Sequence, residues 1–139
     1  MNITFIGLGK LGLPLACILA KTNKVLCLDK NEYVLDKLSN NETPFFEPNL
    51  DNLWRENKHN ILGYTDSYRK AVTLTDAAVI LVNTQLGDDG YSSAFVESAL
   101  SDIAINLKNI DKDYFNIILS STVLPGTIVD NLIPLVERI

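Results

Sequence analysis

Apolar residues recur along this chain in two alternating rhythms. Five short runs, dense in β-branched, aromatic or other apolar side chains, read as strands: Asn2 to Ile6, Lys24 to Leu28, Ile61 to Thr65, Ala77 to Val82 and Phe115 to Leu119. Stretches with helical spacing lie between them. Lys10 to Thr22 is rich in Leu and Ala, Glu32 to Leu38 places Val34, Leu35 and Leu38 on one face, and Leu50 to Asn57 predicts a short helix. Ala94 to Leu107 aligns Phe95, Val96, Ala99, Leu100, Ile103 and Leu107 in one stripe. Asp66 is a candidate N-cap for a short helix leading to Val72, and Gly126 to Val136 predicts a closing helix despite Pro134. Pro44 and Pro48 mark Asn40 to Pro48 as a loop, and Gly87 to Gly90 reads as a polar turn.

Most of the strand runs are apolar throughout, as strands covered on both faces are. Their alternation with helices predicts an α/β fold: a Rossmann-like, doubly wound, largely parallel sheet with helices on both faces. Ligands of such sheets sit in the crevice at the carboxyl ends of the strands. The 139 residues suit a single domain spanning 1–139. The pattern ends just after a helix, where such a fold normally continues to another strand, so a truncated domain is expected.

Charge narrows the partners. Seventeen acidic residues outnumber twelve scattered basic ones, for a net charge of −5. A sequence-independent grip on nucleic acid needs clustered Lys and Arg, so no nucleic-acid partner is expected. No apolar run reaches the roughly 18 to 20 residues of a membrane span. Leu11 to Ala20 could imitate a secretory core, but no basic segment precedes it, so no signal peptide is expected. Cys17 and Cys27 fall in apolar runs and read as small buried hydrophobes; no metal-ligand spacing is present, and a reducing cytoplasm is the expected setting. His59 stands in a polar stretch that reads as solvated, and Phe46 and Trp54 read as packing under a loop.

The chemistry gathers at Gly7-Leu8-Gly9-Lys10-Leu11-Gly12, a G-x-G-x-x-G sequence. Glycines alone say little. Here they follow a strand, open a helix and precede a second strand that ends in an acid. Gly7 permits the tight turn, Gly9 lets backbone approach a pyrophosphate, and Gly12 lets helix pack on strand. The open amides and the helix dipole then favour a diphosphate. Asp29 lies 17 residues beyond Gly12, where a carboxylate can accept hydrogen bonds from the adenosine ribose hydroxyls. It would repel the 2′-phosphate of NADP by about 4 kcal/mol per unit charge at 4 Å, so NAD is the expected cofactor. Lys30 tempers that preference.

Two later strands run into small polar residues. Val82-Asn83-Thr84-Gln85 follows one, and Ser120-Ser121-Thr122-Val123-Leu124-Pro125-Gly126-Thr127 follows the other. Ser and Thr cap turns and helices routinely. For Thr127 capping is the better reading; for Thr84 and Thr122 spacing alone leaves capping and a site role level.

With these segments in view, the chain resembles the UDP-glucose/GDP-mannose dehydrogenase family. The residues that carry the resemblance are Gly7 through Ala16, Asp29, Glu47-Pro48-Asn49-Leu50, Val82-Asn83-Thr84-Gln85 and Ser121 through Thr127. Lys10, Asn49 and Gln85 depart from the family's usual tyrosine, glycine and proline. The resemblance covers essentially the whole chain and implies the NAD-binding domain of a nucleotide-sugar 6-dehydrogenase. Such enzymes oxidise a sugar C6 alcohol to a carboxylate with two NAD, by way of a cysteine in a carboxyl-terminal domain.

The resemblance implies cofactor contacts from Gly7, Leu8, Gly9, Lys10, Leu11, Gly12, Asp29, Lys30, Val82, Asn83, Thr84, Ser121 and Thr122. Thr122 is placed nearest the chemistry, Val82 and Thr84 beside the nicotinamide ribose, and Glu47 in a supporting loop. A lone domain of this kind is expected to bind NAD without turnover, to meet its nucleotide sugar only through the missing domain, and to oligomerise only within a full chain. Two other readings stay open: a regulatory dinucleotide sensor, and another NAD-dependent dehydrogenase of the 2-hydroxyacid or hydroxyacyl type.

Overall fold

Successive strands of the main sheet are joined through helices that bring the chain back to the same end of the sheet, so neighbours run parallel. The computed structural model describes residues 1–87 and 90–139. Its elements begin β1 (Asn2–Ile6), α1 (Gly12–Leu19), β2 (Lys24–Leu28), α2 (Glu32–Ser39), α3 (Leu50–Asn57), β3 (Ile61–Thr65), α4 (Tyr68–Leu74) and β4 (Ala77–Ile80). A short antiparallel pair, β5 (Leu86–Gly87) and β6 (Gly90–Tyr91), precedes α5 (Ala94–Leu107), β7 (Asn116–Leu119) and α6 (Ile133–Arg138). The main sheet has the order β3-β2-β1-β4-β7 and every pairing in it is parallel. The predicted doubly wound α/β architecture is therefore the observed one.

That order reverses between β1 and β4. From β1 the chain winds outward through β2 and β3, then returns to place β4 on the other side of β1. The loops leaving β1 and β4 diverge and open a crevice, the usual ligand position in such sheets.

Two cores flank the sheet. Ile3, Phe5, Val25 and Cys27 face α1, α2 and α3, meeting Leu13, Ala16, Cys17, Leu38 and Trp54. Ile6, Leu26, Leu28 and Ile80 face α4 and α5, meeting Ala71, Val72, Val96, Ala99 and Ile103. Thr4 is a polar residue in this interior, and its hydroxyl is satisfied by Thr75 Oγ1 at 2.9 Å. Both cysteines are buried, as predicted.

Several boundaries move, each for a local reason. The first helix covers Gly12–Leu19 rather than Lys10 to Thr22, because Gly7 to Leu11 form the turn that precedes it. Ser67, not Asp66, caps α4: its hydroxyl accepts from Lys70 N at 3.3 Å. β4 ends at Ile80 instead of Val82, since Val82 turns its amide to a side chain and leaves the ladder. The last strand starts at Asn116, and its residues alternate between exposed and half-buried because it is the sheet edge. The predicted closing helix divides into a π-turn, Ile128–Leu132, and α6. Pro134, which has no N–H to donate, sits in the first turn of α6, so the wider turn precedes it. In the predicted turn Gly87 to Gly90, Asp88 and Asp89 lie outside the described residues. Trp54 is buried against Tyr64, but Phe46 is 86% exposed and not covered by a loop among the described residues. The adjacent Phe45 takes the inward position instead.

Candidate functional site

The turn after β1 is built around glycine. Gly7 has φ +96°, a region that L side chains rarely enter, and a Cβ there would lie 2.1 Å from the Leu81 carbonyl oxygen. A Cβ on Gly12 would lie 1.9 Å from the Gly7 carbonyl oxygen. Both positions are closed by the protein's own backbone. Gly9 is different: a Cβ there would meet nothing within 4 Å. The fold itself makes no demand for glycine at that point, so any demand comes from a ligand.

The helix that follows is open at its start. Leu11 is the N-cap residue of α1, no side chain caps it, and the first turn carries no acid. Among the described residues, none accepts from the amides of Gly9, Lys10 or Leu11. Uncapped amides at the positive end of a helix dipole suit an anion.

Asp29 cross-links this loop to the end of β2. Its Oδ2 accepts from Leu8 N at 2.6 Å and its Oδ1 from Asn31 N at 2.8 Å. A carboxylate offers about four lone-pair sites, so acceptor capacity remains for a further pair of donors. Lys30 turns its ammonium away to α5, reaching Ser98 Oγ at 3.2 Å and Asp102 Oδ2 at 3.4 Å, with the Tyr68 ring centroid 5.7 Å below. The Tyr68 phenol is pushed up to about 12 by burial and by the Asp102 and Asp29 carboxylates.

On the far side, Ser121 ties two strand ends together. Its Oγ accepts from Val82 N at 2.9 Å and donates to Val82 O at 3.0 Å.

These elements surround a cleft of about 320 Å³, a volume suited to part of a nucleotide. Of the residues expected at the site, Gly7, Gly9, Asp29, Lys30, Val82 and Asn83 line it. Leu8 is fully buried, with its amide engaged by Asp29, and Ser121 stands behind Val82. Lys10, Leu11 and Gly12 form the helix head; half-buried Thr84 and exposed Thr122 lie outside this lining. Glu47 is half-buried in the loop before α3, and His59 is exposed.

Sequence reasoning missed Tyr68, Phe95 and Ser98, which also line the cleft. Helical spacing predicts Phe95 in the core stripe of α5, yet it is 50% exposed. The buried set there is Val96, Ala99, Leu100, Ile103 and Ala104, and an aromatic one step before that set was the available signal.

A parallel sheet in this order, with a glycine turn, an uncapped helix head and an acid across the cleft, defines a dinucleotide-binding domain of the doubly wound class. The chain belongs to the UDP-glucose/GDP-mannose dehydrogenase family, whose NAD-binding domain it matches over residues 1–139. It is 29% identical to the GDP-mannose 6-dehydrogenase of Pseudomonas aeruginosa over 99% of its own length and 32% of that protein's. It is 34% identical to the UDP-glucose 6-dehydrogenase of Rhizobium meliloti over 91% of its length and 29% of that protein's. The structure of a ternary complex of the Pseudomonas aeruginosa GDP-mannose dehydrogenase superposes with a TM-score of 0.91 at 27% identity, over 99% of this chain and 32% of that one. The UDP-N-acetyl-mannosamine dehydrogenase Cap5O of Staphylococcus aureus superposes with a TM-score of 0.84 at 29% identity, over 99% and 33%. The chain thus spans about a third of the length of these relatives. No helix among the described residues is long and apolar enough to cross a membrane.

Proposed function

We propose that this domain holds NAD for a nucleotide-sugar 6-dehydrogenase that oxidises a sugar C6 alcohol to a carboxylate, using two NAD in succession. The observation that carries the reading is Gly9, a glycine with open space where its side chain would be, beside an uncapped helix head.

In this reading the amides of Gly9, Lys10, Leu11 and Gly12 face the diphosphate. Asp29 accepts from the two adenosine ribose hydroxyls with the lone pairs that Leu8 and Asn31 leave free. Val82 and Asn83 continue the wall toward the nicotinamide end, with Thr84, Ser121 and Thr122 beyond them. Bound NAD supplies a two-electron hydride acceptor. The protein supplies orientation and an electrostatic preference for the cofactor without a 2′-phosphate.

The cysteine that the family resemblance implies is neither Cys17 nor Cys27. Both are buried, and burial pushes the Cys17 thiol up to about 11 and the Cys27 thiol higher. A nucleophilic cysteine needs the opposite shift, together with access. We assign the sugar-binding groups and that nucleophile to a separate domain, and place the whole enzyme in the cytoplasm, where two free thiols are at home.

Isothermal titration of this chain with NAD and NADP tests the assignment. NAD is expected to bind in the micromolar-to-millimolar range, about −8 to −4 kcal/mol, with NADP weaker and no sugar oxidised. Equal affinity for both dinucleotides, or binding of neither, overturns it.

A further inference from the structure

We propose that Asp102 is a positioning residue for dinucleotide selectivity: it holds the Lys30 ammonium on α5, away from the ribose side of Asp29. The inference rests on the assignment of Asp29 to the adenosine ribose.

Lys30 is the direct chain neighbour of Asp29 and lines the same cleft. Among the described residues lining that wall, Lys30 is the one cation able to neutralise a 2′-phosphate, which would cancel the discrimination that Asp29 provides. Its ammonium is committed elsewhere. Ser98 Oγ lies at 3.2 Å and Asp102 Oδ2 at 3.4 Å, and the cation stands 5.7 Å from the Tyr68 ring centroid. Ser98 and Asp102 are one helical turn apart on α5, so they present a single face to the lysine.

The anchor is partial. The Lys30 and Asp102 side chains are 63% and 39% exposed, so solvent and salt weaken their attraction. Removing it therefore changes a preference and leaves the fold intact. With the Asp102 charge gone, the long lysine stem can redirect its ammonium toward a 2′-phosphate.

The test is a double-mutant cycle on this chain, with NAD and NADP titrated against wild type, Asp102→Asn, Lys30→Gln and the double variant. Asp102→Asn is expected to raise NADP affinity relative to NAD by about two- to fivefold, the size of a partly exposed ion pair. Lys30→Gln in the same background is expected to abolish that gain, and 0.5 M NaCl to shrink it. An unchanged ratio in Asp102→Asn overturns the proposal, as does a gain that survives the loss of Lys30. If NAD binds wild type and Asp29→Asn lowers the preference for it, while Asp102→Asn changes nothing, only this inference falls. If wild type binds neither dinucleotide, the cofactor assignment falls and takes this inference with it.

Discussion

Ser121 and Val82 form a closed two-point clasp: the serine hydroxyl accepts from the Val82 amide at 2.9 Å and donates to the Val82 carbonyl at 3.0 Å. Ser121 is only 8% exposed, so water cannot easily replace it. The clasp takes Val82 out of the sheet ladder and turns the following residues along the cleft. Ser121→Ala leaves a donor and an acceptor unpaired in a sheltered place, at a cost of about 1–3 kcal/mol. A thermal melt followed by circular dichroism should drop by several degrees. NAD affinity should fall with it, because Val82 forms part of the wall. An unchanged melting temperature would show that water fills the gap.

Gly7 and Gly9 should separate folding from binding. An added Cβ at Gly7 collides with the Leu81 carbonyl and occupies a strained φ. Gly7→Ala is expected to cost on the order of 3 kcal/mol of stability. At Gly9 the same methyl meets open space. Gly9→Ala should keep the wild-type melting temperature and weaken NAD by about tenfold or more, because the methyl would occupy the place that the proposed function gives to the diphosphate. A Gly9→Ala protein that binds NAD normally would show that no diphosphate lies against Gly9.

In the proposed function Asp29 carries two tasks, bracing the Leu8 and Asn31 amides and selecting the dinucleotide. Asparagine keeps one acceptor but presents an amide N–H to Leu8 or Asn31, both of which are donors. Asp29→Asn should cost about 1–3 kcal/mol of stability. It should also reduce discrimination against NADP, measured as the ratio of the two dissociation constants, because the like-charge repulsion is gone.

Alkaline pH should weaken the fold. The Cys17 thiol is raised from 9.0 to about 11 and the Tyr68 phenol from 10.0 to about 12, mainly by burial. The unfolded chain releases these protons first, so above pH 9 it binds fewer protons than the folded chain, and stability declines as pH rises. Urea midpoints should stay level from pH 7 to 8.5 with respect to these groups and slide downward between pH 9 and 12. At pH 8, below that window, neither thiol should react with a disulfide reagent until urea is added; fast native labelling there would contradict the burial.

How much of this was legible in the sequence depends on the range of the interaction. The strand and helix order, the glycine turn and the acid after the second strand follow from patterns within a few residues, and each survives in the fold. β2, β3, α3 and α5 keep even their predicted limits, because apolar periodicity is itself a burial pattern. The structure alone decided what depends on distant partners. Val82 leaves its strand because a serine 39 residues later claims it. Lys30 turns from Asp29 because Asp102 lies 72 residues on, and Phe95 leaves the core for the cleft wall. Local chemistry sets which element forms, whereas the direction of a long or amphipathic side chain is set by groups that only the closed sheet brings near.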